Sequence, residues 1–231
     1  MRYSDNEKIT RDTYNQSGGQ WMKTHQDRDY WLCEFAIFSW ELDRLVGKKG
    51  KILDLCCGFG RDCKVFTEAG YEYVGVDFSE GLLEEARLLN PEREFMLANI
   101  RNLPFGDESF EGFWAVASLL HIEKENIRKV LLGIRNKLKK KAVGLIVLKE
   151  GEGEMIDEGK DWSQNGKRFF AYYGEDEFKA ILEDCGFDII GVRRRKEGKT
   201  TVWLEFFVQK NARLKQEIRK LLNAAVKEYG A

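Results

Sequence analysis

The sequence predicts an α/β protein organised around one βαβ unit, and three features of residues 51–79 carry that expectation. Ile52-Leu53-Asp54-Leu55 is an apolar run of strand length, and it leads into Gly58-Phe59-Gly60, where two glycines let the backbone turn tightly and approach a ligand. Arg61 to Ala69 has helical spacing: Val65, Phe66 and Ala69 share a face, Asp62 lies in the first turn where the dipole favours an anion, and Gly70 stands as a C-cap. The second strand, Tyr73 to Asp77, ends in an acid.

A carboxylate at the end of the second strand can accept hydrogen bonds from both hydroxyls of a ribose lying over the sheet edge, so Asp77 points to an adenosine-like ligand. A dinucleotide fingerprint needs a third glycine three residues after Gly60, and Cys63 stands there instead. Asp54, four residues before Gly58, suits a ligand with a cationic amino group.

With these residues the sequence resembles the class I S-adenosylmethionine-dependent methyltransferases, whose first motif is an acid, alternate glycines and a helix. Asp54, Gly58 and Gly60 match it, with Cys56 at the usual first glycine. Val74 to Ser79 resembles the ribose motif, Ala98-Asn99-Ile100 stands at the adenine motif, and Leu103-Pro104-Phe105 resembles the lead into the fourth strand. The segments Lys149 to Gly153, Phe169 to Tyr173 and Thr201 to Leu204 also look like a small-protein branch of that class.

The resemblance implies a three-layer Rossmann-like sandwich with a seven-stranded, mostly parallel sheet whose last strand is antiparallel. It implies S-adenosylmethionine as cofactor and S-adenosylhomocysteine as product. The residues it assigns to the cofactor are Asp54, Cys56, Cys57, Gly58, Phe59, Gly60, Asp77, Phe78, Asn99, Ile100, Ala117 and Ser118.

Around this unit the other elements fall in order. Residues 1–47 read as a helical cap: Asp27 to Val46 carries Tyr30, Trp31, Phe35, Phe38, Leu42 and Leu45 at helical spacings, and Tyr14 and Trp21 precede that helix as substrate candidates. Ser79 is an N-cap for a helix over Glu80 to Leu89, and Arg93 to Leu97 is the third strand. Phe110 to Ala117 is apolar except for Glu111, as in a buried parallel strand. It ends at Ser118-Leu119-Leu120-His121, at the carboxyl edge where open α/β sheets bind ligands, which makes His121 the candidate proton acceptor.

A helix over Lys124 to Leu138 follows, with Lys137, Lys139, Lys140 and Lys141 as its dipole-complementing end. Ala142 to Leu148 is the fifth strand. The long loop after it holds Trp162, Phe170, Tyr172 and Tyr173, which would form the wall of a substrate lid. A helix over Glu175 to Cys185, strands over Phe187 to Arg195 and Thr200 to Gln209, and an amphipathic helix over 211–231 complete the reading. One domain over 1–231 is expected, with its core at 48–210.

Composition narrows the partners. The net charge of −1 argues against a surface built to track nucleic acid, leaving Arg193-Arg194-Arg195-Lys196 and the basic face of the last helix as the features favouring a tRNA or protein acceptor. No apolar run is long enough to span a bilayer, and the opening residues carry no export signal. Five cysteines without paired CxxC spacing suit a reducing cytoplasm and no metal site. The reading is therefore a cytoplasmic methyltransferase, monomer or homodimer, acting on an O, N or C nucleophile of a small molecule. A non-catalytic cofactor-binding protein, with no room for an acceptor, stays open beside it.

Overall fold

In a computed structural model that describes residues 3–25, 27, 30–158 and 166–211, seven strands form one sheet. Numbered by chain position, their order is β3 (Glu94–Leu97), β2 (Glu72–Asp77), β1 (Lys51–Leu55), β4 (Phe110–Val116), β5 (Leu138–Lys149), β9 (Thr201–Lys210) and β8 (Phe187–Glu197). The pairs from β3 to β5 are parallel, while β9 runs antiparallel to both β5 and β8. This is the expected topology, with the single reversed strand set by the hairpin at Gly198.

Side-chain alternation along β4 divides the core. Trp114 packs against Phe38 of α2 (Leu32–Val46) and Phe66 of α3 (Cys63–Glu68), at 5.6 and 5.2 Å between ring centroids. Its neighbour Phe113 turns to the other face and meets Phe187 at 6.0 Å. On that face Phe206 of β9 packs on Phe178 of α6 (Glu175–Asp184), and α6 is tied to α5 (Lys124–Lys137) through Arg128 and Asp184. Helix α4 (Glu80–Leu89) has the expected bounds, capped by the Ser79 hydroxyl accepting the Leu82 N–H.

Three expectations change. The chain before α2 is a helix of its own, α1 (Asp5–Thr24), so Tyr14 and Trp21 lie on this first helix of the cap. It begins in a reciprocal capping box of Ser4 and Glu7. The long loop after β5 contains a two-stranded ribbon, β6 (Glu154–Asp157) against β7 (Arg168–Ala171). The lysine run does not end α5: the chain turns at Leu138 into an extended start of β5, which carries Lys139 to Lys141. The expected C-terminal helix and Trp162 lie outside the described residues. No helix among the described residues is long and apolar enough to cross a membrane.

Helix α1 straddles the carboxyl edge of the sheet. On one side Asn15 Oδ1 accepts the Ser79 hydroxyl at 2.7 Å and the Gly81 N–H at 3.2 Å. On the other, Thr10 Oγ1 accepts the Phe169 N–H at 2.9 Å and Thr13 donates to the Lys167 carbonyl at 2.7 Å. The helix therefore closes the top of a cleft between α4 and β7.

Glu111, the one acid in β4, works at the opposite edge. Its carboxylate accepts the Lys51 N–H at 2.9 Å and meets Lys139 and Lys48 at 2.6 and 3.1 Å. Burial pushes its pKa up, but these partners outweigh it and hold the group near 2, against an ordinary 4.5. A folded value below the unfolded one stabilises the fold above about pH 4.5 and is lost as pH falls toward 2. Glu111→Gln is expected to lower unfolding free energy by about 1–3 kcal/mol at pH 7 and by less at pH 3. Thermal denaturation of both proteins at the two pH values measures this; a deficit that is the same at both would contradict it.

Candidate functional site

Under α1 lies a cavity of about 630 Å³ at the carboxyl ends of β1, β2, β4 and β5. The turn after β1 shapes its floor. Cys56 has φ +57°, the left-handed region that glycine adopts without cost, so a cysteine here takes the conformation usual for a glycine. Gly58 follows at φ +56°, and a side chain there would run into Trp21 of α1 at 3.0 Å.

Asp77 stands at the centre of this floor. Its Oδ2 accepts the Gly58 N–H and its Oδ1 the Ser79 N–H, both at 2.9 Å. Burial raises its pKa to about 6, against the pull of those N–H donors. Asp54 is also buried and accepts the Tyr73 hydroxyl at 2.6 Å. Burial, and then the neighbouring Asp62, push its pKa well above the ordinary range. Arg61 lines the same end, bonded to Asp62 at 2.8 Å, and the Trp114 indole donates to Asp62 at 2.9 Å. Cys56 and Cys57 are no thiolates, since burial and then the adjacent carboxylates push both thiols up.

Asn99 accepts the Arg101 N–H at 2.8 Å and donates to Glu7 of α1 at 3.4 Å. Phe78, Ile100 and Ala117 also face the cavity. Ser118 does too, and its buried hydroxyl has no hydrogen-bond partner among the described residues. A buried orphan hydroxyl costs free energy unless a ligand completes it.

Two residues expected at the cofactor stand behind the cavity wall. Phe59 is buried against Trp21 at 5.2 Å. Gly60, at φ +71°, closes the turn, and a side chain there would come within 2.7 Å of the Phe95 ring. Both shape the floor without lining it.

Among the substrate candidates, Tyr14, Trp21 and Phe170 line the cavity. Tyr172 and Tyr173 do not. Tyr173 is fully buried against Phe178 at 4.9 Å, so it is core, and Tyr172 stacks behind Phe170 at 6.1 Å. Sequence reasoning missed Glu7, Arg61, Lys149, Arg168 and Trp203, all at the cavity wall. The spacing Ser4-x-x-Glu7 was a signal for the first of these.

His121 lies in that wall, between two fixed partners. Its Nδ1–H donates to the Phe169 carbonyl at 2.7 Å, which leaves Nε2 to accept the Tyr14 hydroxyl at 3.2 Å. Burial lowers its pKa to about 3; the Phe169 bond opposes this, while Arg168 and Lys149 add to it. A rate limb at an ordinary histidine pKa is therefore not what this geometry gives. The ring is expected to stay neutral, protonated on Nδ1, from pH 5 to 8. Nitrogen-detected NMR reads the tautomer, and a titration midpoint near 6.5 would contradict the arrangement.

The basic run is paired. Arg193 meets Glu34 at 3.3 Å, Arg195 meets Glu205 at 3.1 Å, and Arg194 bonds Glu150. Three of its four cations are thus held by carboxylates and do not form a free nucleic-acid strip.

An open α/β sheet with an acid-lined cavity at its carboxyl edge defines a nucleotide-type ligand site. Residues 52–141 match the family described as Methyltransferase domain. Over 70 residues it is 37% identical to a demethylmenaquinone methyltransferase of Paenarthrobacter aurescens, and over 101 residues 33% identical to O-methyltransferase resE of Aspergillus sclerotiorum. Those stretches are 30% and 38% of this chain and 27% and 38% of the two relatives, so the chain spans well under half of each. The fold is shared with 1,6-didemethyltoxoflavin-N1-methyltransferase of Burkholderia thailandensis, solved with 1,6-didemethyltoxoflavin and S-adenosylhomocysteine. The TM-score is 0.69 at 19% identity, over 91% of this chain and 92% of that one.

Proposed function

We propose that the protein is a methyltransferase that uses S-adenosylmethionine and methylates a small molecule at an O, N or C nucleophile. One observation carries the reading: the Asp77 carboxylate, at the end of β2, is aimed into the cavity by two backbone N–H donors. The methyltransferase-domain match over the same residues and the activities for which the relatives are named support it. The pairing of the basic run, and a cavity of about 630 Å³ with room beyond a cofactor, favour a small acceptor over a nucleic acid or a purely cofactor-binding role.

The residues present fit the cofactor. Asp77 would accept the ribose hydroxyls, Asn99 and Ile100 would flank the adenine, and the acids Asp54 and Asp62 with Arg61 would face the amino and carboxylate ends of the methionine moiety. The orphan Ser118 hydroxyl would gain its partner there. When bound, the cofactor supplies an activated sulfonium methyl: the acceptor–carbon bond forms as the carbon–sulfur bond breaks, its electron pair stays on sulfur, and S-adenosylhomocysteine leaves.

The chain's own task is then to hold the acceptor in line at about 3 Å and exclude water. Tyr14, donating to neutral His121, fixes the hydroxyl that faces the acceptor. An imidazole whose pKa lies near 3 is a weak base, so positioning carries most of the rate.

Asp77→Ala is expected to weaken S-adenosylhomocysteine binding about ten- to a hundredfold, the loss of hydrogen bonds worth about 1–3 kcal/mol. Binding needs the Asp77 carboxylate, so native affinity should be flat well above pH 6 and fall as pH drops through about 6. Calorimetry across pH reads both. Unchanged affinity in the variant, or tighter binding of NAD by the native protein, would overturn the reading.

A further inference from the structure

We propose that the acceptor is an uncharged, flat aromatic molecule, held within an arc of side-chain rings that runs from Trp21 through His121 to Trp203. The inference rests on the methyltransferase reading and concerns the part of the cavity which that reading leaves to the acceptor.

Rings from widely separated stretches of the chain line that part of the cavity. On α1, Trp21 meets Tyr14 edge-on with 5.8 Å between ring centres, and Tyr14 lies 5.8 Å from His121. His121 is 4.9 Å from Phe170 of β7. The Lys149 ammonium spans the next step, 4.5 Å from the Phe170 centre and 5.7 Å from that of Trp203 on β9. Trp203 in turn meets Trp31 at 6.0 Å, so each member of the arc is in contact with the next.

The polar edges of these rings are already engaged. The Tyr14 hydroxyl donates to His121 Nε2, His121 Nδ1–H to the Phe169 carbonyl, and the Trp203 indole N–H to Glu197. What the arc presents to a ligand is chiefly ring surface, with the Tyr14 oxygen left to accept an O–H or N–H. A flat π-system meets such surface stacked or edge-on.

The charges along the arc are balanced. Lys149 faces Glu197: burial pushes the Glu197 pKa up, but the Trp203 and Tyr30 hydrogen bonds and the charges of Arg195 and Lys149 hold it below the ordinary range. Arg168 lies 5.3 Å from the Phe170 centre and is paired with Asp157 at 3.1 Å. At the exposed rim Lys199 and Asp27 carry opposite signs, and His121 is neutral because burial lowers its pKa to about 3. A charged acceptor would leave water for a wall where each buried cation already has its anion, a desolvation cost that no partner there offsets. An uncharged ring avoids that cost and keeps the ring contacts.

The probes share a hydroxylated two-ring frame: 6-hydroxy-2-naphthamide, the corresponding carboxylic acid, the corresponding aminomethyl compound, and the amide of the fully saturated frame. At neutral pH the acid is an anion and the amine a cation. Calorimetry with protein saturated in S-adenosylhomocysteine is expected to show the aromatic amide binding at least about tenfold more tightly than each of the other three. Glu197→Gln leaves the Lys149 charge uncompensated and should improve the acid at least about threefold relative to the amide; Lys149→Met should do the same for the amine. A charged probe binding as tightly as the amide, a saturated amide equal to the aromatic one, no binding of the amide by the native protein, or a ranking unmoved by both variants would overturn the proposal. Failure of S-adenosylhomocysteine to bind overturns the cofactor reading instead, and the same probes are then ranked in the cofactor-free protein, where a charged or saturated favourite overturns this proposal as well.

Discussion

The carboxylate of Asp77 is the point on which the geometry of the site depends. Each of its oxygens takes one backbone N–H, from Gly58 in the turn after β1 and from Ser79 at the start of α4. Two loops that are far apart in sequence are thereby fixed to one side chain. The cost is visible in the backbone: Cys56 is held left-handed, a conformation that costs an L residue about 1–2 kcal/mol. It is also visible in charge, because burial raises the pKa of both Asp77 and Asp54. Buried acids held by neutral hydrogen-bond donors, with an orphan serine hydroxyl nearby, make a surface that a ligand would complete.

Helix α1 converts that floor into a cavity, and it does so with polar contacts. Asn15 is bonded to Ser79, so the residue that helps fix Asp77 is itself held from above. Glu7 reaches Arg101 at 2.7 Å and Asn99, linking the helix to the loop after β3, while Tyr14 reaches His121 on the far wall. The same helix therefore touches both the half assigned to the cofactor and the half assigned to the acceptor. A bridge of this kind ties closure over the first ligand to the shape offered to the second.

Much of the fold was legible because its signals are local. The apolar runs of β1, β2 and β4, the glycines of the turn and the Ser79 cap appear where periodicity and capping place them. Helix α1 was not read, because its inward face is Glu7, Thr10, Thr13 and Gly18, a polar stripe that gives no hydrophobic period. Its capping box alone announced it. The β6–β7 ribbon has strands of four residues, too short to stand out within a long connection. The aromatics around Phe170 showed that a wall exists there, yet which of them faces the cavity depends on strand parity: Phe170 points in, and Tyr173 goes to the core. Lys149, Arg168 and Trp203 meet only through pairings between distant strands, and nothing in their local sequence brings them together.

The most direct test of the central claim is a crystal structure of the protein with S-adenosylhomocysteine. The ribose hydroxyls are expected within about 3 Å of the Asp77 carboxylate, with the sulfur directed toward the wall that holds His121 and Phe170. A ligand bound elsewhere, or one with its ribose away from Asp77 and its sulfur toward the adenine-side loop, would contradict it.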